Sequence, residues 1–324
     1  MMIFLFGVGA FLASAALTPL TIFVCNRYHI YKTPREDRWK HNAIPALGGV
    51  AIFASFALVC GAYLLFADAW KMIPLLGSLA GASVMFGLGL VDDLYEIKPV
   101  VKLSWQIVAS LIALSTITLV TPLPYMVAIL VGLVWLVGIT NAFNLLDNMD
   151  GLSSGVAIVS LVTLSGIGFL QGNTVVPTVA LILAGSLGGF LLYNFHPAKI
   201  FMGDSGSLFM GFLLAALSTL GVHQGITNVF LTMLVPITML AIPIFDTTLV
   251  SISRFLRGIS ISQGGKDHVS HRLVTLGLSQ VRAVIFIYLL TALSGVACIS
   301  YAFKNVILTF CLMFVIFSIL VYLG

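Results

Sequence analysis

The chain has 324 residues, of which 60% are hydrophobic and only 8% charged, with a mean hydropathy of +1.13. A soluble domain would carry about a quarter charged residues, so a water-soluble fold is excluded and an all-α polytopic membrane protein is expected. The net charge of +4 is too small for gripping a polyanion and excludes nucleic acid as a partner.

In chain order, apolar runs long enough to cross a bilayer fall near 3–25, 46–66, 72–91, 104–120, 124–141, 153–170, 175–193, 207–222, 228–250, 281–302 and 305–323. They predict about eleven transmembrane helices in one integral-membrane domain covering 1–324. The first run has no basic segment before it, so it reads as an uncleaved span, although Ala13–Ser14–Ala15 resembles a cleavage site. The run at 207–222 is the weakest, being short and rich in small residues. Cys25, Cys60, Cys298 and Cys311 lie in or at the ends of apolar runs, without metal-site spacing, and read as reduced core residues.

Orientation follows from the basic residues. With the segment after the first run placed inside, thirteen Lys and Arg fall in cytoplasmic loops and only Lys71 and Lys304 outside. The amino terminus is therefore expected outside and the carboxyl terminus in the cytoplasm. All acids except Asp68 fall on or near the same inner face, which puts any polar chemistry there.

Five stretches on that face carry candidate chemistry. The loop 26–45 contains His41 among Arg35, Arg38 and Lys40, and leads to Gly48–Gly49. It is an ordinary basic inner loop by count, but paired glycines at a helix start could let backbone N–H groups approach a phosphate. Asp92–Asp93 end the third run. Adjacent carboxylates repel, so a bound Mg²⁺ or a general-base role is expected, against the plainer alternative of a solvated helix end.

The stretch 141–151 places Asn144, Asp147 and Asn148 on one helical face at i, i+3 and i+4, with Asn141 one turn earlier and Asp150 beside Gly151. A polar cap needs one such residue, not five, and a carboxylate near hydrocarbon costs at least ~2.5 kcal/mol. The cluster suits a cation, a phosphate or a sugar. Next, Asn194 is followed by Phe201–Met202–Gly203–Asp204–Ser205–Gly206–Ser207, where Asp204 is either an N-cap or a hard-metal ligand. The last loop holds Arg254, Arg257 and Lys266–Asp267–His268–Val269–Ser270–His271–Arg272. Two histidines three apart among charged residues suit an anionic oxygen; zinc is the rival, without a supporting Cys or HExxH pattern.

Acidic clusters and a basic His loop on one membrane face suit Mg²⁺-assisted phosphoryl transfer involving a lipid. A transporter would instead carry polar groups at mid-membrane, where these runs are bland.

Taken in order, Asp92–Asp93–Leu94–Tyr95–Glu96, Asn141-x-x-Asn144-x-x-Asp147-x-x-Asp150–Gly151, Asn194 through Phe201–Met202–Gly203–Asp204–Ser205–Gly206–Ser207, and Asp267–His268-x-x-His271–Arg272 resemble the polyprenyl-phosphate N-acetylhexosamine-1-phosphate transferases, the MraY/WecA superfamily. The resemblance spans nearly the whole chain and lies nearest the WecA-like branch. It implies transfer of a sugar 1-phosphate, GlcNAc-1-phosphate in that branch, from a UDP-sugar to undecaprenyl or another polyprenyl phosphate. UMP is released in this first membrane step of cell-envelope polysaccharide synthesis, in a bacterial plasma membrane. The phospho-MurNAc-pentapeptide transferases of peptidoglycan synthesis are the alternative branch.

By the same resemblance, Asp204 with Asn144 would hold Mg²⁺, for which Mn²⁺ could substitute, and Asp92 and Asp93 would lie at the reacting phosphates. Asn194, Phe201, Asp147 and Asp150 would line the uridine end. His268 and His271 would contact phosphates or sugar, with Asp267, Arg272 and His41 around the substrates. Membrane lipid surrounds such proteins, and a homodimer is compatible with the pattern. The sequence departs from the family at two places. Asp147–Asn148–Met149–Asp150 stands where Asp-Gly-x-Asp is frequent, and Ser270 beside His271 where adjacent histidines are frequent.

Overall fold

A computed structural model describes residues 2–32, 44–67, 69–118, 123–222, 229–260 and 265–324. His41 lies outside them. The described residues form thirteen helices and one short hairpin. In order these are α1 (Met2–Arg27), β1 (Tyr31–Lys32), β2 (Ile44–Pro45), α2 (Gly48–Leu64), α3 (Ala69–Tyr95), α4 (Pro99–Ile117), α5 (Tyr125–Leu146), α6 (Leu152–Leu170), α7 (Val175–Asn194), α8 (Gly203–Val222), α9 (Val229–Met239), α10 (Ala241–Leu256), α11 (Val269–Thr275), α12 (Gln280–Ala302) and α13 (Val306–Leu323). The two strands pair antiparallel, with Tyr31 opposite Pro45. In hydrocarbon every backbone group must be satisfied within the chain, and helices do this.

Every apolar run expected to span is helical, but the spans are not equivalent. Among the described residues, nine helices are individually long and apolar enough to cross a bilayer: α1, α3 to α8, α12 and α13. The protein is thus a multi-pass membrane protein. The run at 46–66 yields α2, of only 17 residues. The run at 228–250 is not one straight span, because α9 and α10 meet at an angle of 74°. Pro243 accounts for the break. It has no N–H to give to the Met239 carbonyl, so the hydrogen-bond ladder lapses there and resumes with Ile244 N donating to Leu240 O at 3.1 Å.

α8, the weakest run by sequence, is the centre of the bundle. Its residues from Gly203 to Gly221 are buried except Asp204 and Thr219, and it packs most extensively on α3 and α5. Small residues bring those neighbours close, which is how membrane helices associate where apolar burial gives no drive. Trp135 of α5 fastens the contact by donating Nε1 to Ala215 O and Ser218 Oγ, both at 3.2 Å. The outer helices show the reverse pattern: Phe4, Leu5 and Leu12 of α1 and Phe310, Phe314 and Phe317 of α13 point outward. Cys25, Cys60 and Cys298 are buried, but Cys311 is exposed on α13 and is not a core residue.

Candidate functional site

The polar groups gather where α3, α5 and α7 end and α4 and α8 begin. Asp92, in the last turn of α3, directs Oδ2 at Lys102 Nζ, 2.5 Å away. The same ammonium is 2.6 Å from Asp204 Oδ2, in the first turn of α8. Two carboxylates thus share one cationic nitrogen. Asp92 Oδ1 accepts from Ile97 N at 2.6 Å, which fixes the carboxylate against the α3–α4 turn. Lys102 was missed in the sequence, where it counted only as one more inner-loop cation. Its signal was position, one turn inside α4 facing the acidic end of α3.

Asp93 has a different job from its neighbour. Its Oδ1 accepts from Asp204 N at 2.8 Å, and its Oδ2 accepts from Ser205 N at 2.9 Å and Ser205 Oγ at 2.7 Å. A carboxylate at a helix N-terminus satisfies orphan amides and meets the positive end of the helix dipole. Asp93 is therefore the anchor that sets Asp204 in place. Gly203, just before, has φ +73, and a Cβ there would strike Ala46 O and the Asp93 carboxylate.

Gly48–Gly49 do not offer their amides to a phosphate. Gly48 N donates to Phe201 O at 3.0 Å and Gly49 N to Met202 O at 2.8 Å, while Phe201 N donates to Pro45 O at 2.8 Å. The glycines are required because α2 starts against the first turn of α8, where a Cβ on Gly49 would collide with Ser205 and Gly206. This corrects the phosphate expectation: the donors are already spent in clamping the Phe201–Met202 backbone.

Asn144 Nδ2 donates to Ser207 Oγ at 2.9 Å, and Ser207 is one turn along α8 from Asp204. Asn141 pairs reciprocally with Gln106 of α4, at 2.8 and 3.1 Å. Gln106 lies one turn from Lys102, so this amide pair aligns the α4 and α5 faces that carry the site. Asp147 is the C-cap residue of α5.

Asn194 is buried and fully occupied. Its Oδ1 accepts from Gly151 N at 3.1 Å and Ser154 Oγ at 3.3 Å, and its Nδ2 donates to Ile200 O at 2.9 Å. It holds the wall that carries Phe201. Asp150 Oδ2 lies 2.9 Å from His196 Nδ1 and accepts from Ala198 N at 3.0 Å. These two residues brace the 194–203 connection.

The last loop is held by α10. Arg254 is buried and makes a two-pronged bond to Asp267, Nε to Oδ2 at 2.9 Å and Nη2 to Oδ1 at 2.7 Å. Burial acts to raise the Asp267 carboxyl; the Arg254 bonds and Asp267's own backbone N–H outweigh it, so its pKa lies below the usual carboxylate value of 3.8. Asp246 is 1% exposed; its Oδ2 sits 2.7 Å from His268 Nδ1 and its Oδ1 accepts from Val269 N at 2.7 Å. That contact at Nδ1 fixes the orientation of the His268 ring. Asp246 was missed as a site residue, although an acid inside an apolar helix was its signal. Ser270 Oγ donates to Asn148 Oδ1 at 2.7 Å, joining this loop to the end of α5. Arg272 turns the other way, donating Nη1 to the carbonyls of Leu323 and Gly324 beside α13. The structure thus joins Ser270 to the α5 end and sets the Arg272 Nη1 group beside α13.

The donor chemistry fits a hard divalent cation. Asp92 and Asp204 converge on one cationic point, and carboxylate oxygens are the ligands Mg²⁺ prefers. No group of three His, Cys, Asp or Glu among the described residues is close enough to hold a metal alone. The protein oxygens would need completing by water or phosphate oxygens, as is usual for Mg²⁺.

The chain is similar to known proteins. Residues 75–222, which run from α3 through α8, match the profile described as glycosyl transferase family 4. A probable undecaprenyl-phosphate N-acetylglucosaminyl 1-phosphate transferase of Bacillus subtilis (strain 168) is 32% identical over 95% of this chain and 86% of the relative. A decaprenyl-phosphate N-acetylglucosaminephosphotransferase of Mycobacterium leprae (strain TN) is 30% identical over 93% of this chain and 84% of the relative. A phospho-N-acetylmuramoyl-pentapeptide-transferase of Staphylococcus carnosus (strain TM300) is 32% identical over 67% of this chain and 76% of the relative.

Proposed function

The chain belongs to glycosyl transferase family 4, and on that premise we propose that it transfers N-acetylglucosamine 1-phosphate from a UDP-sugar to a polyprenyl phosphate, releasing UMP. The observation that carries this reading is the convergence of Asp92, Lys102 and Asp204 on one point at the head of α8. A diphosphate needs its charge offset while one P–O bond forms and another breaks. In the transfer, an oxygen of the lipid phosphate bonds to the β-phosphorus, and the bond from that phosphorus to the α–β bridging oxygen breaks. UMP leaves with that oxygen.

Asp204, with Asn144 nearby across Ser207, is the group that would hold Mg²⁺. The ion would offset charge on the phosphate oxygens and polarise the phosphorus. Lys102 is poised to donate to a phosphate oxygen, and Asp92 to accept the proton of the lipid phosphate. Asp93 keeps Asp204 at its post. Phe201 and Asp147 face the uridine end, on the wall that Asn194 and Asp150 brace, and His268 and His271 serve the sugar and phosphates.

The GlcNAc donor is favoured over the pentapeptide donor by the near-complete coverage of the relatives named for GlcNAc. Purified protein, Mg²⁺ and undecaprenyl phosphate, given each UDP-sugar in turn, should release UMP fastest from UDP-GlcNAc. Faster release from UDP-MurNAc-pentapeptide would overturn the donor assignment and leave the reaction class standing. We further propose eleven crossings, with α2 and the bent α9–α10 pair each counted once, the amino terminus outside and the carboxyl terminus inside. The thirteen-to-two asymmetry of basic residues supports it. Reporter tags at Gln171 and after Gly324 should then report outside and inside, respectively.

A further inference from the structure

Resting on the transfer reaction above, we propose that Asn148 and Ser270 form a positioning pair that sets the grip of the cleft on the donor sugar nucleotide. The two residues are 122 apart in the chain and joined by a bond of 2.7 Å, from Ser270 Oγ to Asn148 Oδ1. An alanine at either position would leave nothing to donate or to accept that bond.

Asn148 faces two ways. Its Nδ2 donates to Leu145 O at 3.1 Å, satisfying a carbonyl orphaned at the end of α5, while its Oδ1 reaches across to α11. Ser270 is 1% exposed and sits in the first turn of α11, between His268 and His271. Asn148 sits between Asp147 and Asp150. The bond therefore links the bank carrying the two carboxylates to the bank carrying the two imidazoles. The clasps from Asp246 and Arg254 fix the loop to α10; the Asn148–Ser270 bond fixes it to the end of α5. The bond runs between the end of α5 and α11, apart from the Asp92–Lys102–Asp204 bridges, so loosening it should weaken donor binding and leave the chemical step largely intact.

The test is UMP-release kinetics for the parent, Asn148→Ala, Ser270→Ala and the double variant, with undecaprenyl phosphate saturating. Ser270→Ala removes a single oxygen and should fold. The KM for UDP-GlcNAc should rise about tenfold in each single variant, the scale of one lost buried hydrogen bond. The double variant should match a single one, because the second change removes a bond already broken. The kcat and the KM for undecaprenyl phosphate should stay within about threefold of the parent. Effects that multiply in the double variant, or that fall on kcat, would overturn the positioning role with the transfer reaction intact. A parent that releases no UMP from any UDP-N-acetylhexosamine would overturn both.

Discussion

Two acid–cation assemblies lie at the same end of the helix bundle, on either side of the end of α5, and are built oppositely. At the head of α8 one ammonium is shared by two carboxylates, with Lys102 23%, Asp204 20% and Asp92 9% exposed along their side chains. Along α10 each charged or ring group has its own partner; the side chains of Asp246, His268 and Arg254 are 1%, 4% and 4% exposed, and only Asp267, at 12%, reaches the surface. A shared, partly open cation can be exchanged for a substrate's phosphate or its metal. A buried group matched one to one is not exchanged, and here it serves to hold the loop and to orient the His268 ring. On the proposed function, the same residue types make a reaction centre in one place and a clasp in the other, decided by stoichiometry and access.

Substitutions separate the two assemblies. Asp204→Asn should lower turnover by about a thousandfold or more, as the loss of a charge-stabilising group at a transferring phosphoryl does. The melting temperature should stay near the parent's. Asp92→Asn should cost at least about a hundredfold, the lower range for a lost general base, again without loss of fold. If Asp204→Asn turned over normally with the parent's Mg²⁺ dependence, the cluster would not be the reaction centre.

On the other side, Arg254→Ala should destabilise the protein by about 3–5 kcal/mol, because it strands a carboxylate in a largely buried pair. Thermal unfolding in detergent measures this, and an unshifted melting temperature would show that the clasp does not hold the loop. Asp93→Asn should fall between the two classes. Asn offers one accepting oxygen where three donors converge, so about 1 kcal/mol of cap stability should go, together with part of the turnover as Asp204 loosens. A rate loss with no stability loss would return Asp93 to the chemistry.

The smallest expected effect is a pH dependence. The folded Asp267 carboxyl lies below its ordinary value of 3.8. Its contribution to stability is therefore complete above that value and fades as the pH falls beneath it. Acid unfolding followed between about pH 5 and 2 should show a shallower limb in Asp267→Asn than in the parent. Parallel curves would mean that Arg254 does not depress Asp267.

Much of the architecture was legible because apolar runs of bilayer length have few alternative readings. What misled was local. The run of α8 looked weak because its small residues lower its hydropathy, yet they are the mark of a helix packed on all sides. Pro243 gave warning of a break in the tenth helix, and the run containing it still read as one span. At the site, acids beside hydrocarbon advertised themselves, and the structure draws Asp92, Asp93 and Asp204 together. Their division of labour was not legible, because it depends on partners 102 to 112 residues away: Lys102 for Asp204, and the Asp204 and Ser205 amides for Asp93. Gly48–Gly49 failed for the same reason, since the carbonyls that take their N–H groups come from Phe201 and Met202.

The central claim is that the α8 cluster moves the β-phosphorus of a UDP-sugar to a lipid phosphate, and the fate of that phosphorus tests it directly. UDP-GlcNAc labelled at the β-phosphorus, incubated with the purified protein, Mg²⁺ and undecaprenyl phosphate, should yield label that partitions into organic solvent with the lipid. The unlabelled nucleotide should appear as UMP, and Asp204→Asn should leave the label in water. Label that stays water-soluble with the parent enzyme, or that leaves with the nucleotide as UDP, would contradict the account.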